Sequence, residues 1–220
     1  MKYAAVIFDL DGTIINSERM WKQATVCMLK SKGIQLTDGI KKELEEKCHG
    51  IGIIESGKLL KQYFNLKESP QELIDAQNML VVSSYAQETT LIDGFVPFYK
   101  KIEKLQVKKG IATNADTKSI NLANNKFNLK QYFGSHIYCV DDVNNICKPK
   151  PDVYLHAAKK LEVKPEQCIA IEDSKLGIQA AKNAGMFCIG INTNKNRNAL
   201  EQADYIVDTY EEIDIKNIFI

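Results

Sequence analysis

The chain has 220 residues, of which 45% are hydrophobic and 26% charged, with a formal net charge of +1; this is the balance of an ordinary globular protein and excludes long disorder. Near-neutral charge gives no long-range field for nucleic acid or an anionic membrane, so any anion site must be local. No segment reaches the roughly 18 apolar residues of a membrane span, and the start lacks a basic, long apolar leader, from which we expect a cytoplasmic protein with neither nucleic-acid nor membrane partners.

The first informative stretch is "VIFDLDGTII", Val6 to Ile15. Ala4 to Phe8 is short, apolar and partly β-branched or aromatic, the pattern of a strand buried on both faces. Two aspartates follow directly. Ser17 to Lys32 carries Trp21, Ala24, Met28 and Leu29 at the spacing of one helical face, and Gly33 stops it. Further on, Ser69, Pro70 and Glu72 supply a cap residue, a first-turn proline and a capping-box acid ahead of Leu73, Ala76 and Leu80. Residues 16–88 therefore read as all-helical.

From Gly94 the pattern changes to helices alternating with short apolar strands. Pro97 is expected to open a helix with Phe98, Ile102 and Leu105 on one face. Strands are expected at Lys109 to Thr113, His136 to Val140, Cys168 to Ile171, Met186 to Ile189 and Tyr205 to Val207. Such alternation predicts an α/β fold, a Rossmann-like parallel sheet with helices on both faces. The expected organisation is an α/β core of residues 1–15 and 89–220 interrupted by a helical domain of residues 16–88. Six cysteines (Cys27, Cys48, Cys139, Cys147, Cys168, Cys188) lack metal-site spacing and read as free, mostly buried thiols.

Parallel strands bring their C-terminal ends to one edge, where ligands bind. Asp9 and Asp11, Thr113 and Asn114, Lys148, and Glu172 with Asp173 all follow strands and should converge there. Four carboxylates facing one lysine repel one another unless a cation joins them. The all-oxygen donor set suits a hard metal, Mg²⁺ by default when a phosphate completes the shell. A calcium loop starting at Asp9 is excluded, because its sixth and twelfth positions are Ile14 and Met20 rather than glycine and glutamate. Phosphoryl transfer gives each group work: one carboxylate attacks phosphorus, a second moves the proton, and lysine and metal neutralise charge.

In this order "DLDGT", "ATN", "KPKPD" and "IEDSKLGIQAA" resemble the four motifs of the haloacid dehalogenase superfamily. The helical insertion after the first motif resembles the cap of the branch that includes β-phosphoglucomutase and many sugar-phosphate phosphatases. The resemblance implies Asp9 as nucleophile and Asp11 as acid/base, with the Asp11 backbone carbonyl, Asp9 and Asp173 on Mg²⁺. It further implies phosphate binding by Thr113, Asn114 and Lys148, with Glu172 as a supporting acid. An acidic residue at Asp11, where dehalogenases differ, points to phosphate rather than carbon–halogen chemistry.

The mutase-like branch carries a lysine and an arginine four residues apart after the second cap helix; the comparable "CHGIGIIES" has His49 and Ile53 there. Asp116 also stands where a serine would serve a distal phosphate better. We therefore expect a monomeric, Mg²⁺-dependent phosphatase of a small phosphorylated metabolite, a sugar or polyol phosphate, working through an aspartyl-phosphate. A phosphosugar mutase and a non-catalytic binding protein on the same fold are the alternatives. Glu18, Trp21, His49 and Ile53 are the candidate substrate-pocket residues, with cap core for Trp21 and a simple turn for His49 as the plainer readings.

Overall fold

The computed structural model describes residues 2–48 and 50–219. In chain order the elements are β1 (Ala5–Phe8), β2 (Ile15–Asn16), α1 (Glu18–Ser31), α2 (Asp38–Cys48), α3 (Ile53–Phe64), α4 (Pro70–Glu88), β3 (Thr90–Leu91) and α5 (Phe95–Glu103). There follow β4 (Lys108–Ala112), α6 (Thr117–Phe127), α7 (Lys130–Phe133), β5 (Ile137–Tyr138), α8 (Asp152–Lys160), β6 (Cys168–Glu172), α9 (Lys175–Asn183), β7 (Phe187–Ile191), β8 (Tyr205–Val207) and α10 (Ile215–Phe219). The main sheet is six-stranded, in the order β5-β4-β1-β6-β7-β8, and every pair in it is parallel.

The central strand shows why this sheet needs cover on both faces. All four residues of β1 are buried, and they alternate: Val6 and Phe8 enter one apolar cluster, Ala5 and Ile7 the other. This is the two-residue period of a strand buried between two layers. On the first face Phe8 meets Phe95, Phe98 and Phe133 edge-on, with ring centroids 5.7 to 6.3 Å apart. On the second face Val153, Tyr154 and Ala157 of α8 and Ile178, Ala180 and Ala181 of α9 cover the strands.

Helices α1 to α4 leave and rejoin this body through a two-stranded antiparallel ribbon, Ile15 opposite Leu91 and Asn16 opposite Thr90. Their far ends hold a small cluster of their own, Met28, Leu29, Leu44, Leu60 and Leu73. Helix α4 starts where the sequence places it: Ser69 accepts the Glu72 N–H, and Glu72 reaches back to the Ser69 N–H at 2.7 Å, a reciprocal cap.

Several element boundaries differ from expectation by a residue or two, and two of them are informative. Helix α5 begins at Phe95 behind Gly94, whose φ is +80°, so Pro97 sits in the first turn, where no helical N–H is needed. The expected strand from His136 to Val140 shrinks to Ile137–Tyr138 and turns at Val140 into a short 3₁₀ segment. The six cysteines are free as read, but Cys27 is exposed and only Cys139, Cys168 and Cys188 are fully buried.

Candidate functional site

Beyond the C-terminal edge of the sheet, β1 delivers Asp9, β4 delivers Thr113 and β6 ends in Glu172 and Asp173. Side-chain oxygens of Asp9, Glu172 and Asp173 lie within 4.8 Å of one another, and all three residues are buried. Lys148 reaches them from the loop after β5. Its ammonium is 2.5 Å from Asp9 Oδ1 and 2.6 Å from Glu172 Oε1, and 4.8 Å from the centre of the Tyr154 ring.

Glu172 is the best-satisfied member of the group. Its Oε1 also accepts the Tyr154 hydroxyl at 2.8 Å, and Oε2 accepts the Asp173 N–H at 3.2 Å and the Ser174 hydroxyl at 3.2 Å. It thereby fixes Lys148 and the turn carrying Asp173. Asp173 is braced by Thr13, whose hydroxyl donates to Oδ1 at 3.2 Å, and by Asn194, whose amide donates to Oδ2 at 2.7 Å. Close approach also requires Gly12 (φ +84°), since a Cβ there would lie 2.1 Å from Asp173 Oδ2.

The electrostatics are those of an anionic pocket. Burial pushes the Asp9 carboxyl well above the ordinary range, Lys148 opposes this, and Glu172 and Asp173 add to the rise. For Lys148 burial works downward, but Asp9 and Glu172 outweigh it and hold the ammonium above the usual lysine value. Three carboxylates against one ammonium leave two negative charges in a buried place, which costs several kcal/mol per uncompensated ion. A divalent cation cancels that excess, and the oxygen-only donors suit a hard ion. The residues present therefore fit a metal of this class.

Asp11 is oriented separately. Ser17 donates a hydrogen bond to Asp11 Oδ1, turning the carboxylate toward α1. Burial raises its carboxyl, with the Ser17 and Trp21 side chains pulling the other way. The Thr113 hydroxyl oxygen accepts the Ala115 N–H at 3.0 Å, leaving its own hydrogen for an anion. Asn114 spends its side chain on two loops: Oδ1 accepts the Lys148 N–H at 2.9 Å and Nδ2 donates to the Gly50 carbonyl at 3.0 Å.

A cavity of about 230 Å³ opens above these groups, and its lining includes Asp9, Asp11, Thr113, Asn114, Lys148 and Asp173. Glu18, Trp21 and Ile53, the described pocket candidates, all reach the same cavity; His49 lies outside the described residues. Glu172 stands behind the wall. Sequence reasoning missed Lys22, Lys41, Thr25, Gln77 and Asn194, which also line the cavity. Only the helical spacing of Trp21 with Lys22 and Thr25 hinted at a shared face; Gln77 and Asn194 arrive from distant segments.

A family model described as haloacid dehalogenase-like hydrolase matches residues 6–191. The validoxylamine A 7'-phosphate phosphatase of Streptomyces hygroscopicus subsp. limoneus is 27% identical over 218 residues, covering 96% of this chain and 96% of that protein. A solved family IA, variant 3 hydrolase from Entamoeba histolytica superposes with a TM-score of 0.85 at 27% identity, covering 96% of each chain. The β-phosphoglucomutase of Clostridium difficile gives 0.83 at 25% identity, covering 98% of this chain and 95% of that one.

Proposed function

The chain belongs to the haloacid dehalogenase-like hydrolases, and on that premise we propose that it is a Mg²⁺-dependent phosphatase of a small sugar or polyol phosphate, working through an aspartyl-phosphate. The observation that carries this reading is the placement of Asp9 between the Lys148 ammonium and the Asp173 carboxylate, with Asp11 separately oriented two residues on. The substrate class also draws on a relative from Thermotoga maritima, 28% identical over 185 residues, that is named phosphorylated carbohydrates phosphatase.

In this mechanism an Asp9 oxygen attacks phosphorus and the ester oxygen departs with the proton of Asp11. Asp11, now a carboxylate, takes a proton from water as that water attacks the phosphorus of the aspartyl-phosphate. Phosphate leaves and Asp9 is restored. Lys148 and the Thr113 hydroxyl hold the equatorial oxygens, while Asn114 positions Lys148 through its backbone N–H. Asp9, Asp173 and the Asp11 backbone carbonyl would hold the metal, whose charge stabilises the phosphoryl oxygens when it is bound. Residues 1–15 and 89–220 form the catalytic core and residues 16–88 a cap that excludes water and selects the leaving group.

Hydrolysis is favoured over internal transfer by the cap. Ile53 offers the cavity no charge. Lys22 is already paired with Glu18 at 3.0 Å and Glu45 at 3.6 Å, so neither Ile53 nor Lys22 offers a second phosphate an uncommitted cation. The test is a panel of phosphorylated metabolites assayed for phosphate release with Mg²⁺, followed by phosphorus NMR of both products. Free phosphate from a sugar or polyol monophosphate is expected. Conversion of a hexose 1-phosphate to the 6-phosphate with negligible free phosphate would establish the mutase instead.

A further inference from the structure

The loop that follows β7 reaches across the C-terminal edge of the sheet. Strands β6 and β7 lie side by side with Glu172 opposite Gly190, which brings the segments just beyond the two strands together. Asn194 donates its amide to Asp173 Oδ2 at 2.7 Å. Its neighbour Thr193 goes one strand further, donating its hydroxyl to the Gly12 carbonyl at 2.7 Å. The loop is itself tied down at both ends. The Asn192 N–H donates to the Val207 carbonyl at 2.8 Å, and the Asn192 amide and the Arg197 guanidinium share Asp208 Oδ1 at 2.7 and 3.1 Å. Lys195, at φ +56°, turns the chain between these anchors.

An ionised carboxylate oxygen only accepts, so the nitrogen of the Asn194 side chain is the atom that faces it. The oxygen it holds is also the one that overlies Gly12, where an added Cβ would come within 2.1 Å. Two segments distant in sequence therefore fix one edge of Asp173, while the Thr13 hydroxyl donates to the other oxygen at 3.2 Å. The chemistry of the donor matters as much as its place. A lysine or arginine here would cancel the charge that draws a cation, whereas an amide orients the carboxylate and leaves that charge intact.

We propose that Asn194 is a positioning residue that gives the metal site its preference for Mg²⁺ over Ca²⁺, by holding the Asp173 carboxylate in one orientation. The inference rests on the reading of Asp9 and Asp173 as metal ligands. Mg²⁺ demands near-ideal octahedral geometry at about 2.1 Å, so a carboxylate that can swing serves it poorly. Ca²⁺ takes about six to eight oxygens in a flexible shell, from carboxylates bound through one oxygen or both, and tolerates the swing. Loss of the Asn194 amide therefore weakens Mg²⁺ binding and spares Ca²⁺ binding.

The test compares the full-length parent with Asn194→Ala and with Asn194→Leu, which keeps the side-chain volume without a donor. Mg²⁺ and Ca²⁺ are titrated separately into metal-stripped protein, and dissociation constants are read by calorimetry and from the rise in melting temperature. The variants are expected to bind Mg²⁺ about ten- to a hundredfold more weakly and Ca²⁺ within about threefold of the parent. Their metal-free melting temperatures should lie within about 4 °C of the parent's, whereas a merely structural role would lower the melting temperature and leave the ratio of the two dissociation constants unmoved. Unchanged Mg²⁺ affinity, a loss for Ca²⁺ as large as that for Mg²⁺, or failure of both variants to fold without metal would overturn the assignment. A parent that binds neither cation would instead remove the metal reading on which it rests.

Discussion

Alanine at position 177 should destabilise the protein although it replaces a helical glycine. Gly177 lies in the first turn of α9, where its N–H donates to the capping Ser174 hydroxyl at 3.1 Å, and its backbone needs no positive φ. By helix propensity alone the added methyl would gain up to about 1 kcal/mol. It lands, however, 1.9 Å from Glu172 Oε1, 2.0 Å from Cδ and 2.1 Å from Oε2, on the carboxyl group itself. Glu172 must leave, and with it go the bonds from Lys148 at 2.6 Å and Tyr154 at 2.8 Å. Stranding one partner of a buried ion pair costs about 3–5 kcal/mol, so the net loss is about 2–4 kcal/mol. For a chain of this size that lowers the melting temperature by about 5–15 °C. Thermal melts followed by circular dichroism measure it. In a Glu172→Ala background the methyl meets no carboxyl, and Gly177→Ala should become neutral or stabilising, a change of sign that a double-mutant cycle detects. A melting temperature at or above the parent's for Gly177→Ala alone would refute the reasoning.

Asp9→Asn should abolish phosphate release by several orders of magnitude yet melt no lower than the parent, because a neutral amide removes one charge from a crowded buried group. Asp11→Asn should be equally inactive with an unchanged circular dichroism spectrum; turnover in Asp9→Asn would sink the covalent mechanism, and turnover in Asp11→Asn the acid/base role of that residue. Mg²⁺ at about a hundred times its dissociation constant should stabilise the fold by about 2.7 kcal/mol, a shift read in thermal melts that chelator reverses and Asp173→Ala abolishes; no shift in the parent would contradict the metal site. Ser69→Ala should cost about 1 kcal/mol by removing the reciprocal cap of α4, measured by urea denaturation, with phosphate release unchanged.

The parts of the molecule legible in the sequence are those dictated locally. β1 announces itself because both its faces are buried, and the polar residues at strand ends converge because parallel strands leave them no other edge. The start of α4 is written in Ser69, Pro70 and Glu72. What escaped depends on contacts between distant segments. Thr25 and Gln77 are 52 positions apart and become one network only when α1 packs on α4. Asn194 braces Asp173 from the loop after β7, and nothing in its own neighbourhood marks it. Gly177 reads as a small residue easing a helix against the sheet, whereas the space it leaves is filled by the Glu172 carboxylate. Strand β5 is short because Val140 turns at once toward the loop carrying Lys148, a demand of the site rather than of strand propensity.

The apolar cluster of Met28, Leu29, Leu44, Leu60 and Leu73 is separate from the two that sandwich the sheet, and the separation bears on how the molecule opens. Met20 and Ala24 near the start of α1, and Val81 and Tyr85 near the end of α4, belong to the sheet's cluster. The same two helices change allegiance along their length: rooted at one end in the large core, they carry the small one at the other. Local unfolding follows such boundaries. Amides of α2 and α3 should therefore exchange with solvent deuterium long before those of β1 and β6, with the boundary falling within α1 and α4, beside Thr25 and Gln77. The wall that meets the leaving group would then breathe on a floor that does not, which lets the roof of the cavity admit and release molecules without loosening Asp9, Lys148 or Glu172.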